Sequence, residues 1–146
     1  LAAPFSAFLH GDYNTNNILY DAETDRIHYI DLHRSADGDL VQDVSVYMIS
    51  NFRLPIFDKG RRRLLHAVIL EFFKFSRDYC QKYGDTTFEI RLALGLARSL
   101  ITSTRFELSE RFSKLMFQRG IYLLQCVAGH AGDPADFRLP LAAVCS

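Results

Sequence analysis

Apolar residues along the chain change their period near position 39, and that change divides it into two parts. Residues 1–9 form a short apolar stretch broken by Pro4, and HGDYNTNN (10–17) follows, rich in Asn and Gly. Asn and Asp side chains bond to nearby backbone outside helices, so 10–17 is expected to be a loop. ILYD (18–21) and RIHYIDL (26–32) are short strand-type runs, and the acidic AETD between them predicts a hairpin connection. HRSADG (33–38) is expected to be a second loop. From Asp39 the period becomes helical, with Leu40, Val44, Tyr47 and Met48 at three-to-four spacing, and Pro55 closes the segment. A second helix is expected over 61–83, with Leu65, Val68, Ile69, Phe72, Phe75 and Tyr79 as its apolar stripe and Gly84 as its stop. A third, 87–104, aligns Phe88, Leu92, Leu96 and Leu100. A fourth, 110–128, follows the N-cap residue Ser109 and carries Phe112, Leu115, Met116, Tyr122 and Cys126. After Gly129 the chain reads as a loop at Asp133-Pro134, and its last residues, LPLAAVCS, either pack back or fray. The class is α+β and mostly α: a loop-and-hairpin front end followed by a helical bundle, in one domain over residues 1–146.

The 146 residues suit one domain, and 49% hydrophobic against 23% charged excludes disorder and low-complexity scaffolding. Cys80, Cys126 and Cys145 are far apart and form no CxxC pair, so neither a zinc ribbon nor a disulfide framework is expected. They read as buried or incidental thiols of a reducing compartment, the cytoplasm. No apolar run approaches the roughly 20 residues of a transmembrane helix, and the start LAAPFSAFL lacks a signal peptide's basic region. Net charge is zero, but residues 1–58 hold three basic and nine acidic residues, and 59–146 hold fourteen basic and eight acidic. The cluster Lys59, Arg61, Arg62 and Arg63 is read as a solvated helix start. It lacks the aromatic interleaving of a nucleic-acid site, so no nucleic-acid partner is expected.

The acidic half carries the candidate chemistry. Transfer of a phosphoryl group to a hydroxyl needs a carboxylate to orient the hydroxyl, and oxygen ligands to hold Mg²⁺ against nucleotide phosphates. Asp12, on a loop, suits the first need. Asn17 and Asp31 offer oxygens for the second, and a hairpin between them would bring them together.

The run H-x-D-x-x-x-x-N, here His10, Asp12 and Asn17, resembles the catalytic loop of the aminoglycoside phosphotransferase and choline kinase family, which is distantly similar to protein kinases. A second run matches as well: Ile30-Asp31, then Gly38-Asp39, then Asp43. The two runs together are far more specific than HxD alone. The resemblance covers residues 8–47 well and the helices to about 130 loosely. It implies a protein-kinase-like C-terminal lobe, with 8–47 as the catalytic and metal-binding segment and 60–130 as a helical substrate-side subdomain. It implies that Asp12 orients or deprotonates the acceptor hydroxyl, and that Asn17 and Asp31 bind Mg²⁺ with ATP as donor. His10 would hold the two loops together, Asp43 would accept hydrogen bonds from the catalytic-loop backbone, and Asp39 would cap or brace the following helix. His33, where protein kinases have Gly, is read as a loop histidine.

No GxxxxGK[ST] or GxGxxG occurs, and no segment before His10 matches the family's nucleotide lobe. The chain therefore reads as half an active site, completed by a missing N-terminal lobe or a second chain, with self-association as a further expectation. The basic balance of 59–146 argues for a neutral or anionic acceptor, such as a sugar, an amino alcohol or a glycolipid, over a polycationic aminoglycoside. Two rival readings are a non-catalytic kinase-like binding module and a metal-dependent phosphoesterase. The second lacks the later GNHD-type element and has too short a gap between His33 and Asp39.

Overall fold

A computed structural model describes residues 1–145. Two small antiparallel sheets open the chain. β1 (Ala7–Leu9) pairs with β4 (Ala36–Gly38), and β2 (Ile18–Asp21) pairs with β3 (Arg26–Tyr29) in a hairpin with Ile18 opposite Tyr29. Five helices follow: α1 (Val41–Phe52), α2 (Lys59–Lys82), α3 (Phe88–Ser103), α4 (Glu110–Ala128) and the short α5 (Leu141–Cys145). Ser146 and the side chains of Val144 and Cys145 lie outside the described parts, so the reading of the Cys145 thiol goes with them.

α3 is the central element. Its Phe88, Leu92, Leu96 and Leu100 are all buried, spaced by one helical turn as the sequence pattern predicts. α1 packs on one side through Val44, Met48 and Phe52, and α4 on another through Met116 and Leu123. The α3–α4 approach depends on Gly120: a Cβ there would lie 2.6 Å from Ile101 Cγ1. The caps follow the sequence. The Asp58 side chain accepts from Arg61 N–H at the start of α2, and Ser109 accepts from Phe112 N–H at the start of α4. Tail residues Phe137, Leu139 and Leu141 are buried in the same core, so the tail packs back.

Five details differ from the sequence reading. β3 stops at Tyr29, because Asp31 adopts a left-handed backbone (φ 61°, ψ 48°) that turns the chain out of the strand. Residues 36–38 form a strand inside the expected loop. Ala-Asp-Gly has little strand propensity of its own, and the pairing with β1 is long-range. α2 is rotated by about one residue: it buries Ile69, Phe73, Ser76 and Cys80, and leaves Val68, Phe75 and Tyr79 exposed. This helix carries apolar residues on more than one row, and periodicity alone does not choose between them. In α4, Leu115 and Tyr122 are exposed and Leu123 is buried instead. The basic cluster is likewise only partly a solvated face. Arg62 donates to the carbonyls of Phe52 (2.8 Å) and Leu54 (3.2 Å), closing the C-terminal end of α1. No helix among the described residues is long and apolar enough to cross a membrane.

Candidate active site

The catalytic-loop run sits on a turn between β1 and β2, fixed to α1 by one buried carboxylate. Asp43, in the first turn of α1, accepts from His10 N–H (2.6 Å) with one oxygen and from Gly11 N–H (3.1 Å) with the other. A buried carboxylate that receives two backbone donors satisfies groups that the loop cannot satisfy within itself. Gly11 is required here: its φ is +84°, and a Cβ would lie 2.2 Å from the Arg34 carbonyl oxygen.

His10 is buried and links the two loops. Its Nδ1 accepts from Asp12 N–H (3.3 Å), which places the ring proton on Nε2, where it donates to the Ile30 carbonyl (2.9 Å). Ser35 Oγ donates to the His10 carbonyl from the far side (3.3 Å). The catalytic loop is thereby tied to the residue before Asp31 and to the turn after it.

Asn17 joins the same network. Its Nδ2 donates to the Asp12 carbonyl (2.9 Å), and its own carbonyl accepts from Ile30 N–H (3.1 Å). The hairpin register thus places Asn17 opposite the residue before Asp31. With the amide nitrogen engaged, Asn17 Oδ1 is the atom left to act as a ligand.

Asp12 is partly exposed. One carboxylate oxygen accepts from Asn14 Nδ2 (3.1 Å), and the other lies 3.7 Å from Arg34 Nη1. The Asp31 carboxylate accepts from His33 Nδ1 (2.5 Å), while His33 Nε2 accepts from Arg34 Nε (3.3 Å). Those two bonds put the His33 proton on Nδ1. His33 is therefore a partner of Asp31 in a 3-10 turn (Leu32–Arg34), a tie that the loop reading of the sequence does not include.

Asp39 accepts from Val41 N–H (3.1 Å) at the start of α1 and pairs with Arg91 of α3. Arg91 also pairs with Asp85, and both are buried. This Asp39–Arg91–Asp85 chain was not singled out from the sequence. Its signal was Arg91 itself, a cation three residues after Phe88 and one before Leu92, on an apolar helix face that needs a carboxylate partner. The same carboxylate acts on a thiol: burial, reinforced by Asp85, pushes Cys80 from its ordinary value near 9 up to about 12.

Two concave surfaces flank the network. A crevice of about 790 Å³ runs between β1, Tyr13 and Tyr29 on one side and Phe72, Phe75 and Tyr79 of α2 on the other. In it Tyr13 stacks on Tyr47 (5.3 Å between centroids), and burial together with Tyr29 pushes the Tyr13 hydroxyl above its ordinary range. A second cleft of about 710 Å³ opens on the other side of the catalytic loop and includes Asp12 in its lining. It reaches back to the ends of α1 and α3.

Among the described residues no group of three or more His, Cys, Asp or Glu side chains is placed to hold a metal ion. An Asn oxygen and one carboxylate nevertheless fit Mg²⁺, which takes one or two protein carboxylates and completes its shell with water and phosphate oxygens. Asn17 Oδ1 and Asp31 are the residues that could supply that set.

No curated protein and no solved structure matches the chain. A protein-family model described as phosphotransferase enzyme family matches residues 1–80, which contain every residue of the loop network from His10 to Asp43. With more than half of its length matched, the chain belongs to the phosphotransferase enzyme family.

Proposed function

We propose that this chain carries the hydroxyl-orienting and metal-binding half of an ATP-dependent small-molecule kinase. The observation that carries the reading is the pair of bonds made by Asn17, one to Asp12 and one to Ile30. They keep a partly exposed carboxylate and two candidate oxygen ligands on one loop–hairpin unit, which supports the arrangement that phosphoryl transfer requires.

In this reading the acceptor hydroxyl donates to the Asp12 carboxylate. The oxygen forms a bond to the terminal phosphorus of the donor as the bond to the leaving diphosphate oxygen breaks, and the hydroxyl proton passes to Asp12. Asn14 holds one Asp12 oxygen, so the free lone pairs have a fixed direction. Asn17 and Asp31 would hold Mg²⁺, which supplies charge neutralisation at the donor phosphates. The acceptor is a neutral or anionic sugar, amino alcohol or glycolipid rather than an aminoglycoside. The lobe that covers the nucleotide in this family would come from outside these 146 residues. Leu19, Ile27, Ile30 and Leu32, exposed on and beside the hairpin, are where such a lobe, a second chain or another copy would pack.

Calorimetric titration with Mg²⁺-ATP, beside Asp31→Asn, tests the reading. Binding that the variant loses is expected. Equal binding by both proteins would remove Asp31 from the metal site.

A further inference from the structure

The second cleft holds a charge pattern that the hydroxyl-transfer reading does not use. Asp12 is the one carboxylate among its lining residues, against four arginines: Arg34, Arg53, Arg98 and Arg105. Two of these are committed elsewhere. Arg34 lies beside Asp12 and bonds His33, and Arg53 pairs with Glu107 (2.6 Å).

The other two are not. The Arg98 guanidinium, on the exposed side of α3, has no hydrogen-bond or ion-pair partner among the described residues. Arg105, in the 3-10 turn after α3, lies over the Phe106 ring at 4.5 Å. Stacking occupies the face of a guanidinium and leaves its N–H edge available to an oxyanion. Unpaired cations in a concave wall concentrate positive potential, attract anions and repel cations. The volume lies within the range of ordinary small-molecule sites and admits a monosaccharide derivative.

We propose that the acceptor carries an oxyanion, a carboxylate or a phosphate ester, which Arg98 and Arg105 bind while Asp12 receives its hydroxyl. This rests on the reading of Asp12 given above. A guanidinium matches either oxyanion with two parallel hydrogen bonds, so both belong to one recognition chemistry.

The test is calorimetric titration of the chain with glucose, glucuronate, glucose 6-phosphate and kanamycin, repeated with Mg²⁺-ATP present. Glucuronate and glucose 6-phosphate should each bind about tenfold or more tightly than glucose, as expected for hydrogen bonds to charged groups. The ratio between those two shows whether carboxylate or phosphate is preferred. The variant Arg98→Gln/Arg105→Gln should bring both anions down to the level of glucose, while Arg63→Gln, an exposed change on α2, should not. Circular dichroism of each variant checks that it is folded. Kanamycin binding as well as the anions, or anion affinity unchanged in the double variant, would overturn the proposal. So would competition between ATP and the anions for the Arg98-dependent site, which would make the cleft part of the donor site. A phosphotransfer assay on the same compounds separates the two readings. Transfer to glucose in preference to both anions removes the anionic acceptor and keeps the kinase. With the nucleotide-covering lobe supplied, arginine-dependent anion binding with no transfer to either anion removes the acceptor role of the cleft, and loss of all transfer together with loss of Mg²⁺-ATP binding removes the kinase reading.

Discussion

In the helical half, α3 buries Phe88, Leu92, Leu96 and Leu100, and the neighbouring helices interlock with them. In the front end, β3 buries none of its four residues, and β2 buries none of its own. The two regions are held by different forces. The bundle is stabilised mainly by apolar area removed from water, with one largely buried charge cluster, Asp39–Arg91–Asp85, set against it. The loops are held by a few directional bonds, centred on Asp43, His10 and Asn17. Changes in the bundle should therefore act on the whole fold, and changes in the loop network should act on the site while leaving the helices folded.

The largest effect on stability is expected where the bundle itself depends on charge. Arg91→Met would leave Asp85 buried without its cation, a change that costs about 3–5 kcal/mol for a buried pair. Denaturant unfolding measures it, and adding Asp85→Asn should recover part of the loss. Full stability in Arg91→Met would show that the front end and the bundle do not share this tie. Leu96→Ala, at a fully buried position, should cost about 2–5 kcal/mol by the same measurement and should lower the stability of the whole domain in one transition.

Asp43→Ala sharpens the contrast. It removes the acceptor for two loop N–H groups and should cost about 1–3 kcal/mol. Mg²⁺-ATP binding should fall more than helical circular dichroism does. Parallel loss of both signals would mean that the loops and the bundle fold as one unit.

The sequence was most informative where local pattern and chemistry agreed. The α3 stripe was legible because Phe88, Leu92, Leu96 and Leu100 repeat with the helix, and Ser109 marked the start of α4. The spacing of His10, Asp12, Asn17 and Asp31 was legible because the motif fixes residue types at fixed offsets. What was hidden depends on partners distant in sequence. β4 exists because β1 is beside it, and Arg91 finds Asp39 and Asp85 from 52 and 6 residues away. The buried row of α2 depends on which row meets α1 and α3, where Phe73 faces Phe88 at 6.3 Å between ring centroids. Arg98 and Arg105 gave no signal, because the pattern does not show whether a surface arginine is paired.

The smallest effect concerns pH, and it reports on the bundle alone. The Cys80 thiol ionises near 12 in the fold, against an ordinary value near 9. Below about pH 9 both folded and unfolded chains keep this proton, and the contribution of Cys80 to stability is fully present. Above that the unfolded thiol ionises first, so stability falls as pH rises towards 12, by at most about 1.4 kcal/mol per pH unit. Denaturant midpoints from pH 8 to 10 check the sign. At pH 8, Cys80 should react with iodoacetamide more slowly than the half-buried Cys126, until denaturant opens the core.

The central claim is that Asp12 receives the acceptor proton in phosphoryl transfer. The most direct test follows labelled γ-phosphate from ATP to a small-molecule hydroxyl with the nucleotide-covering lobe present, comparing the unsubstituted protein with Asp12→Asn. The account predicts a loss on the order of 10²–10⁴ in turnover, as for removal of a general base, with Mg²⁺-ATP affinity and the unfolding midpoint nearly unchanged. Turnover at the unsubstituted rate in Asp12→Asn would contradict it.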